Sequence, residues 1–131
     1  PSGGRIVLLL HGHQAGDRVL VDVADTIHNC LRRYDIAGRY GGEEFVIILP
    51  EADIEQGYAL AERIRLAIQS LGSLRDGLSV TVSAGVAELA EDNALGLIER
   101  ADASMYHAKQ NGRNRTEKQA AADHMGPGPA P

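Results

Sequence analysis

The chain has 131 residues, 44% hydrophobic and 24% charged, with a net charge of −5. That length suits one domain with its own core, and the acidic balance excludes a broad electrostatic grip on DNA or RNA. Cys30 is the only cysteine, so no intrachain disulfide forms and a reduced, cytoplasmic setting is expected; the longest apolar runs, Ile6–Leu10 and Phe45–Leu49, are too short to cross a membrane. Any membrane anchor would have to lie in another part of a longer parent protein.

In chain order, residues 1–4 read as an unstructured leader and Arg5–Leu10 as a buried strand. From Gly16 to about Arg33, Val19, Val23, Ile27 and Leu31 recur every fourth residue beside Leu20 and Ala24, which predicts an amphipathic helix. Ile36–Tyr40 and Phe45–Leu49 read as the arms of a hairpin, ended by Pro50. Asp53 is the expected N-cap of a second helix, with Gln56 reaching back to it and Leu60, Ile64, Ala67 and Ile68 inside. A turn is expected over Leu71–Gly77.

Ser79–Ala87 alternates Val80, Val82, Ala84 and Val86 with polar residues, the pattern of a half-buried strand, and Gly85 marks a bulge or a close backbone approach. Asn93 or Asp92 caps a last helix, which buries Leu97, Ile98, Ala101, Met105 and Ala108 and stops at Gly112. From about Glu117 the composition predicts an unstructured tail, so the folded domain is expected over residues 5–116. This order predicts an α/β (α+β) sandwich of ferredoxin-like type, built on a split βαβ unit. Its first two strands run parallel, so Leu10 and Tyr40 reach one sheet edge. The hairpin tip and the loop after Leu10 are expected to face each other there across a cleft.

Arg39-Tyr40-Gly41-Gly42-Glu43-Glu44-Phe45 occupies that tip. The glycine pair is expected to supply positive φ angles and to let phosphates approach the main chain. Glu43 and Glu44 repel one another unless a cation sits between them; otherwise the tip is a solvated acidic turn. Asp17 starts a helix, where an acid also suits the helix dipole, and Lys109 and Arg113 share one face near a helix C-terminus. Arg32 and Asp35 form an RxxD pair, which is commonly a surface ion pair. His11 and His13 with Asp17 suggest an HxH metal centre, but the other histidines offer no third or fourth ligand by spacing, so a dedicated transition-metal site is not expected.

Four motifs, in order, together resemble the GGDEF family of diguanylate cyclases. Gly12-His13-Gln14-Ala15-Gly16-Asp17 resembles its GHxxGD helix entry, and RYGGEEF with its apolar strand resembles the signature hairpin. Val80–Val86 resembles its VTVSxGV strand, and Arg100–Asn114 its RADxxxYxAKxxGRN helix. The resemblance implies a nucleotidyl-cyclase-like fold and the joining of two GTP molecules into cyclic di-GMP, with Mg²⁺ or alternatively Mn²⁺. It assigns Glu43 to the metal and to activation of the attacking hydroxyl, with Glu44 in support. Asp17 would contact guanine, Gly41, Gly42, Lys109 and Arg113 the phosphates, and Arg32, Asp35 and Arg63 an inhibitory product site. A homodimer would be needed for catalysis, since each protomer holds one GTP, and an upstream sensor or regulatory domain is expected in the parent protein.

The chain departs from the family between Leu10 and Gly12, where only His11 stands. The family has a longer segment there, with a second metal-binding aspartate and a guanine-binding asparagine. The family's opening asparagine-leucine-threonine-glycine-leucine stretch is also absent, and Arg115-Thr116-Glu117-Lys118 is poor in apolar residues for a final strand. Impaired turnover is therefore expected, and the alternative is a non-catalytic receptor for cyclic di-GMP or GTP.

Overall fold

A computed structural model describes residues 4–13, 17–74, 80–89 and 93–119, the side chains of 13, 17–19 and 72–74 excepted. The elements are β1 (Arg5–His13), α1 (Asp17–Cys30), β2 (Ile36–Arg39), β3 (Glu44–Pro50), α2 (Ile54–Leu74), β4 (Thr81–Glu88), α3 (Ala94–Gln110) and β5 (Thr116–Gln119). The sheet order is β2-β3-β1-β4-β5, antiparallel except for the β4–β5 pair. β1 and β2 thus run parallel with β3 between them, and β3 and β4 run parallel with β1 between them. Two interleaved split βαβ units make the ferredoxin-like sandwich that the element order predicts.

Alternation along β1 divides the core. Ile6, Leu8 and Leu10 pack with Leu20, Val23 and Ile27 of α1 and Ala61, Ile64 and Ile68 of α2. Val7 and Leu9 turn to the other face and pack with Leu97, Ala101 and Met105 of α3. Burying each large aliphatic side chain contributes about 1.5–3 kcal/mol, more than any single polar contact at the strand's end. β1 is the beam on which both layers rest.

Three corrections to the sequence reading matter for function. β1 does not stop at Leu10: His11 pairs with Glu44 and Ser83, and Gly12 and His13 continue the ladder with Val82 and Thr81. β4 pairs with all three, Glu44 of β3 pairs with His11, and Gly12 bonds the hairpin tip, so among the described residues no loop and no cleft separate β1 from the hairpin. β4 is buried on both faces, because α3 lies against Gly85; a Cβ there would stand 2.2 Å from the Ala101 carbonyl oxygen. Gly85 is a close approach of helix to strand.

The third correction concerns the domain's ends. Gly4, expected in the leader, accepts a hydrogen bond from the Ala52 N–H, and Glu117–Gln119, expected in the tail, belong to β5. An edge strand needs little apolar content when its backbone pairs with β4 and its side chains find anchors. Lys118 does so, bonding Glu55 at 3.0 Å and lying over the Tyr58 ring.

Other boundaries shift less. α1 ends at Cys30 and not near Arg33, because Asp35 gathers the following turn by accepting from the Arg32 N–H. α2 continues to Leu74 into the segment expected to turn. The Asp53–Gln56 capping box is present in both directions, at 2.8 and 2.9 Å. Asn93 caps α3 by accepting from the Gly96 N–H, and Gly112 leaves the helix at φ +119°. Asp92, Leu78 and Ser79 lie outside the described residues.

Candidate active site at the hairpin edge

One edge of the sheet collects the residues that the sequence assigns to substrate and metal. β1 and β2 end there, β3, β4 and β5 begin there, and α1 starts and α3 finishes beside it. From β3 to β5 is three strand spacings, about 14 Å. The acidic tip therefore stands at one end of this edge and Lys109 and Arg113 at the other. Asp17 opens α1 at the same edge, and its side chain lies outside the described residues.

The tip is a four-residue connection, Tyr40–Glu43, not a two-residue turn. Tyr40 N–H donates to the Glu44 carbonyl at 2.8 Å. Neither Gly41 nor Gly42 takes a positive φ, which corrects the turn expected from the sequence; the longer connection needs none. A Cβ on Gly42 would meet nothing within 4 Å, and one on Gly41 would meet the Glu44 side chain, its Oε1 at 3.0 Å. Neither φ nor internal packing thus demands glycine at position 42. What its bare backbone provides is room for something from outside to approach.

Glu43 is held from both sides. Arg39 Nη2 donates to the Gly42 carbonyl, and Gly12 N–H donates to the Glu43 carbonyl at 2.8 Å. The two peptide planes that flank Glu43 are therefore fixed, one from β2 and one from β1. Its half-exposed carboxylate is left to project from the rim.

His11 stands between the two glutamates. Its Nδ1 lies 3.2 Å from Glu44 Oε2 and its Nε2 lies 3.8 Å from Glu43 Oε1. A carboxylate only accepts, so the Nδ1–H donates to Glu44, whereas 3.8 Å is beyond hydrogen-bond range. Register alone places His11 here, opposite Glu44. Sequence spacing pointed to His13 and Asp17 as its companions; the signal for Glu44 was the pairing of β1 with β3. Arg39 was missed in the same way, although it stands at the end of β2 beside the tip.

At the far end, α3 closes with Asn111 as its C-cap, and Arg113 N–H donates to the Ala108 carbonyl at 2.9 Å. Arg113 and Asn114 adopt left-handed backbone at φ 62° and 47°, unusual for residues with a Cβ. Arg65 of α2 fixes this turn by bonding Asn114 Oδ1 at 3.0 Å while pairing with Glu62 at 2.7 Å. The hydrogen bond from Arg65 holds the Glu62 carboxyl below its ordinary range, and the same bond raises Arg65. Arg113 is set on a braced turn, and Lys109 stands in the last turn of α3 just before it.

The RxxD residues meet elsewhere, at a cavity of about 310 Å³ lined by Arg32, Asp35, Leu49, Gln56, Leu60 and Arg63. The Asp35 carboxylate is fully buried, accepts from Arg32 Nη2 at 3.0 Å and from the Arg32 N–H at 2.7 Å. That hydrogen bond raises the Arg32 pKa, and a further donor of Arg32 reaches the Pro50 carbonyl at 2.9 Å. Asp35 thus presents Arg32 toward the cavity, and Arg63 joins from α2.

Among the described residues, no three His, Cys, Asp or Glu side chains form a metal-holding group by themselves. No helix among them is long and apolar enough to cross a membrane. A family model for the diguanylate cyclase GGDEF domain matches residues 9–115. Diguanylate cyclase A of Treponema denticola is 45% identical over 109 residues, a match covering 80% of this chain and 29% of that relative. Among solved structures, the active GGEEF domain of a diguanylate cyclase from Vibrio cholerae superposes with a TM-score of 0.82 at 27% identity, covering 88% of this chain and 83% of that one. The GGDEF domain of DgcB from Caulobacter crescentus, in complex with c-di-GMP, gives 0.80 at 31% identity over 88% and 78%. This chain, spanning less than a third of the Treponema denticola relative's length, belongs to the diguanylate cyclase GGDEF-domain family.

Proposed function

We propose that the hairpin edge binds GTP together with a divalent cation, and that the domain is one half of a cyclic di-GMP-forming dimer with impaired turnover. The observation that carries this is the pinned Glu43 beside a glycine that neither conformation nor packing requires. Glu43 would ligand the cation, with Glu44 orienting its neighbour. The open backbone at Gly41 and Gly42 would receive phosphate oxygens, and Asp17 would accept from guanine N1–H and N2–H. Lys109 and Arg113 supply positive charge for phosphates at the opposite end of the same edge. A bound cation would supply charge neutralisation of the triphosphate. With only one GTP per protomer, a homodimer must complete the reaction.

Impaired turnover follows from the missing second metal-binding aspartate and guanine-binding asparagine; His11 is the residue nearest the aspartate's place, and imidazole is a poor ligand for Mg²⁺. The direct bond between Gly12 and Glu43 also brings the end of β1 against the tip. The test is incubation with GTP and Mg²⁺ or Mn²⁺, followed by chromatography of the products and calorimetry of binding. Cation-dependent GTP binding is expected, with little or no cyclic di-GMP, and Glu43→Gln should abolish both. Product formation unchanged by Glu43→Gln would refute the assignment.

A second reading is favoured by the separate cavity at Arg32. Its two arginines and the buried Asp35 that orients one of them suit a dianionic ligand such as cyclic di-GMP. The domain would then report the dinucleotide without making it, under an upstream regulatory domain, in the cytoplasm and without contact to nucleic acid.

A further inference from the structure

We propose that the hollow formed by Tyr34, Pro50 and Glu51 beside Arg32 is a base subsite for guanine, in which Tyr34 stacks on the ring and Glu51 reads its hydrogen-bonding edge. The inference deepens the second reading above, in which the Arg32 cavity takes a cyclic dinucleotide, and rests on it.

Arg32 is a wall shared by two cavities. One is the cavity of about 310 Å³ that Arg63 also lines. The other, of about 350 Å³, is lined by Arg32, Tyr34, Pro50 and Glu51. Arg32 ties the walls of this second hollow together. Its guanidinium donates to Asp35, in the turn that carries Tyr34, at 3.0 Å, and to the Pro50 carbonyl at 2.9 Å. The Asp35 N–H donates to the Arg32 carbonyl at 3.1 Å, which closes that turn. The hollow is therefore preformed, and a ligand does not have to order its walls.

Its chemistry suits a base and not a phosphate. Arg63 gives the first cavity a second cation, whereas Glu51 gives this one an anion. A carboxylate repels phosphate and accepts from N–H donors. Guanine offers N1–H and N2–H along one edge, where adenine presents an acceptor at N1. Tyr34 is 67% exposed, which leaves its ring open to a planar partner, and Pro50 adds an apolar surface. Glu51 holds φ 54°, a left-handed backbone that glycine adopts more readily, so its carboxylate is present at a conformational cost. Because the two cavities meet at Arg32, one dinucleotide can place a base in each and its phosphates against the guanidinium.

The test is calorimetry of the full chain with cyclic di-GMP and cyclic di-AMP, together with NMR of the tyrosine ring protons. The native protein should bind cyclic di-GMP at least tenfold more tightly than cyclic di-AMP, with the Tyr34 ring signals moved upfield by the stacked base. Tyr34→Ala should weaken cyclic di-GMP about tenfold, the size expected for one lost base–aromatic stack, while Tyr34→Phe stays near native. Glu51→Gln should lower the preference over cyclic di-AMP about tenfold. Both side chains are exposed, so thermal midpoints should stay near native in all three variants. If Arg32→Ala abolishes cyclic di-GMP binding while Tyr34→Ala and Glu51→Gln bind both dinucleotides as the native protein does, the subsite is refuted although the cavity reading survives. If the native protein binds no cyclic di-GMP, that reading falls and this inference falls with it.

Discussion

The main-chain N–H of Gly12 donates to the Glu43 carbonyl at 2.8 Å, joining the end of β1 to the hairpin tip. Arg39 grips the preceding carbonyl, that of Gly42, from the other side. In a trans peptide the C=O and N–H point in opposite directions, so Arg39 also aims the Glu43 N–H away from itself. Aim of the carboxylate and aim of a main-chain donor are set together.

Removing Arg39 should therefore loosen Glu43 without loosening the fold, since Arg39 is exposed and its bond lies at the rim. Arg39→Ala is expected to weaken cation-dependent binding of a GTP analogue about tenfold, equivalent to about 1.4 kcal/mol. Arg39→Lys should recover part of the loss. Calorimetry measures both, with cyclic di-GMP binding at the Arg32 cavity as an internal control that should not move.

Gly85 carries the contact of β4 with α3. An alanine there would drive its Cβ against the Ala101 carbonyl oxygen and the Met105 nitrogen, at 2.2 and 2.3 Å, and both are backbone. Neither can rotate away, so Gly85→Ala should destabilise the domain by about 3 kcal/mol or more. Urea unfolding checks this; a midpoint like that of the native protein would show that α3 can shift at little cost.

Acid sensitivity should be centred in part on Glu62. Its folded pKa is lowered, first by the hydrogen bond from Arg65, so its contribution is complete above the unfolded value, near 4.5. It is lost as pH falls through the lower folded value. Glu62→Gln should flatten the fall in urea midpoint between neutral pH and about pH 2.5. Arg65→Ala should cost about 1–2 kcal/mol at neutral pH, because Asn114 loses its donor as well.

At the separate cavity, Arg32→Ala and Arg63→Ala should each reduce cyclic di-GMP affinity at least tenfold, about 1.4 kcal/mol. Asp35→Asn should reduce it less, since an amide still accepts from Arg32. Equal binding by all three variants would place the dinucleotide elsewhere.

The ferredoxin-like order, the capping box at Asp53 and the meeting of Arg32, Asp35 and Arg63 were legible in the sequence, because hydrophobic period, cap chemistry and family motifs all speak locally. The position of His11 was not. Whether β1 stops at Leu10 or runs to His13 is decided by partners distant in sequence, Glu43, Glu44 and residues of β4, and periodicity ends where the apolar run ends. The glycine pair misled for the opposite reason: its local signal for a tight turn was outweighed by the register of Arg39 with Phe45, which leaves five residues between them to close the tip. β5 was obscured because its stability comes from the β4 ladder and Lys118's anchors, not from apolar content.

The most direct measurement is paramagnetic broadening of backbone amide signals by the Mn²⁺ complex of a non-hydrolysable GTP analogue. The account predicts broadening centred on residues 11–12 and 41–44, weakening toward Lys109 and Arg113, and removed by Glu43→Gln. Broadening centred at the Arg32 cavity, or spread evenly over the surface, would contradict it.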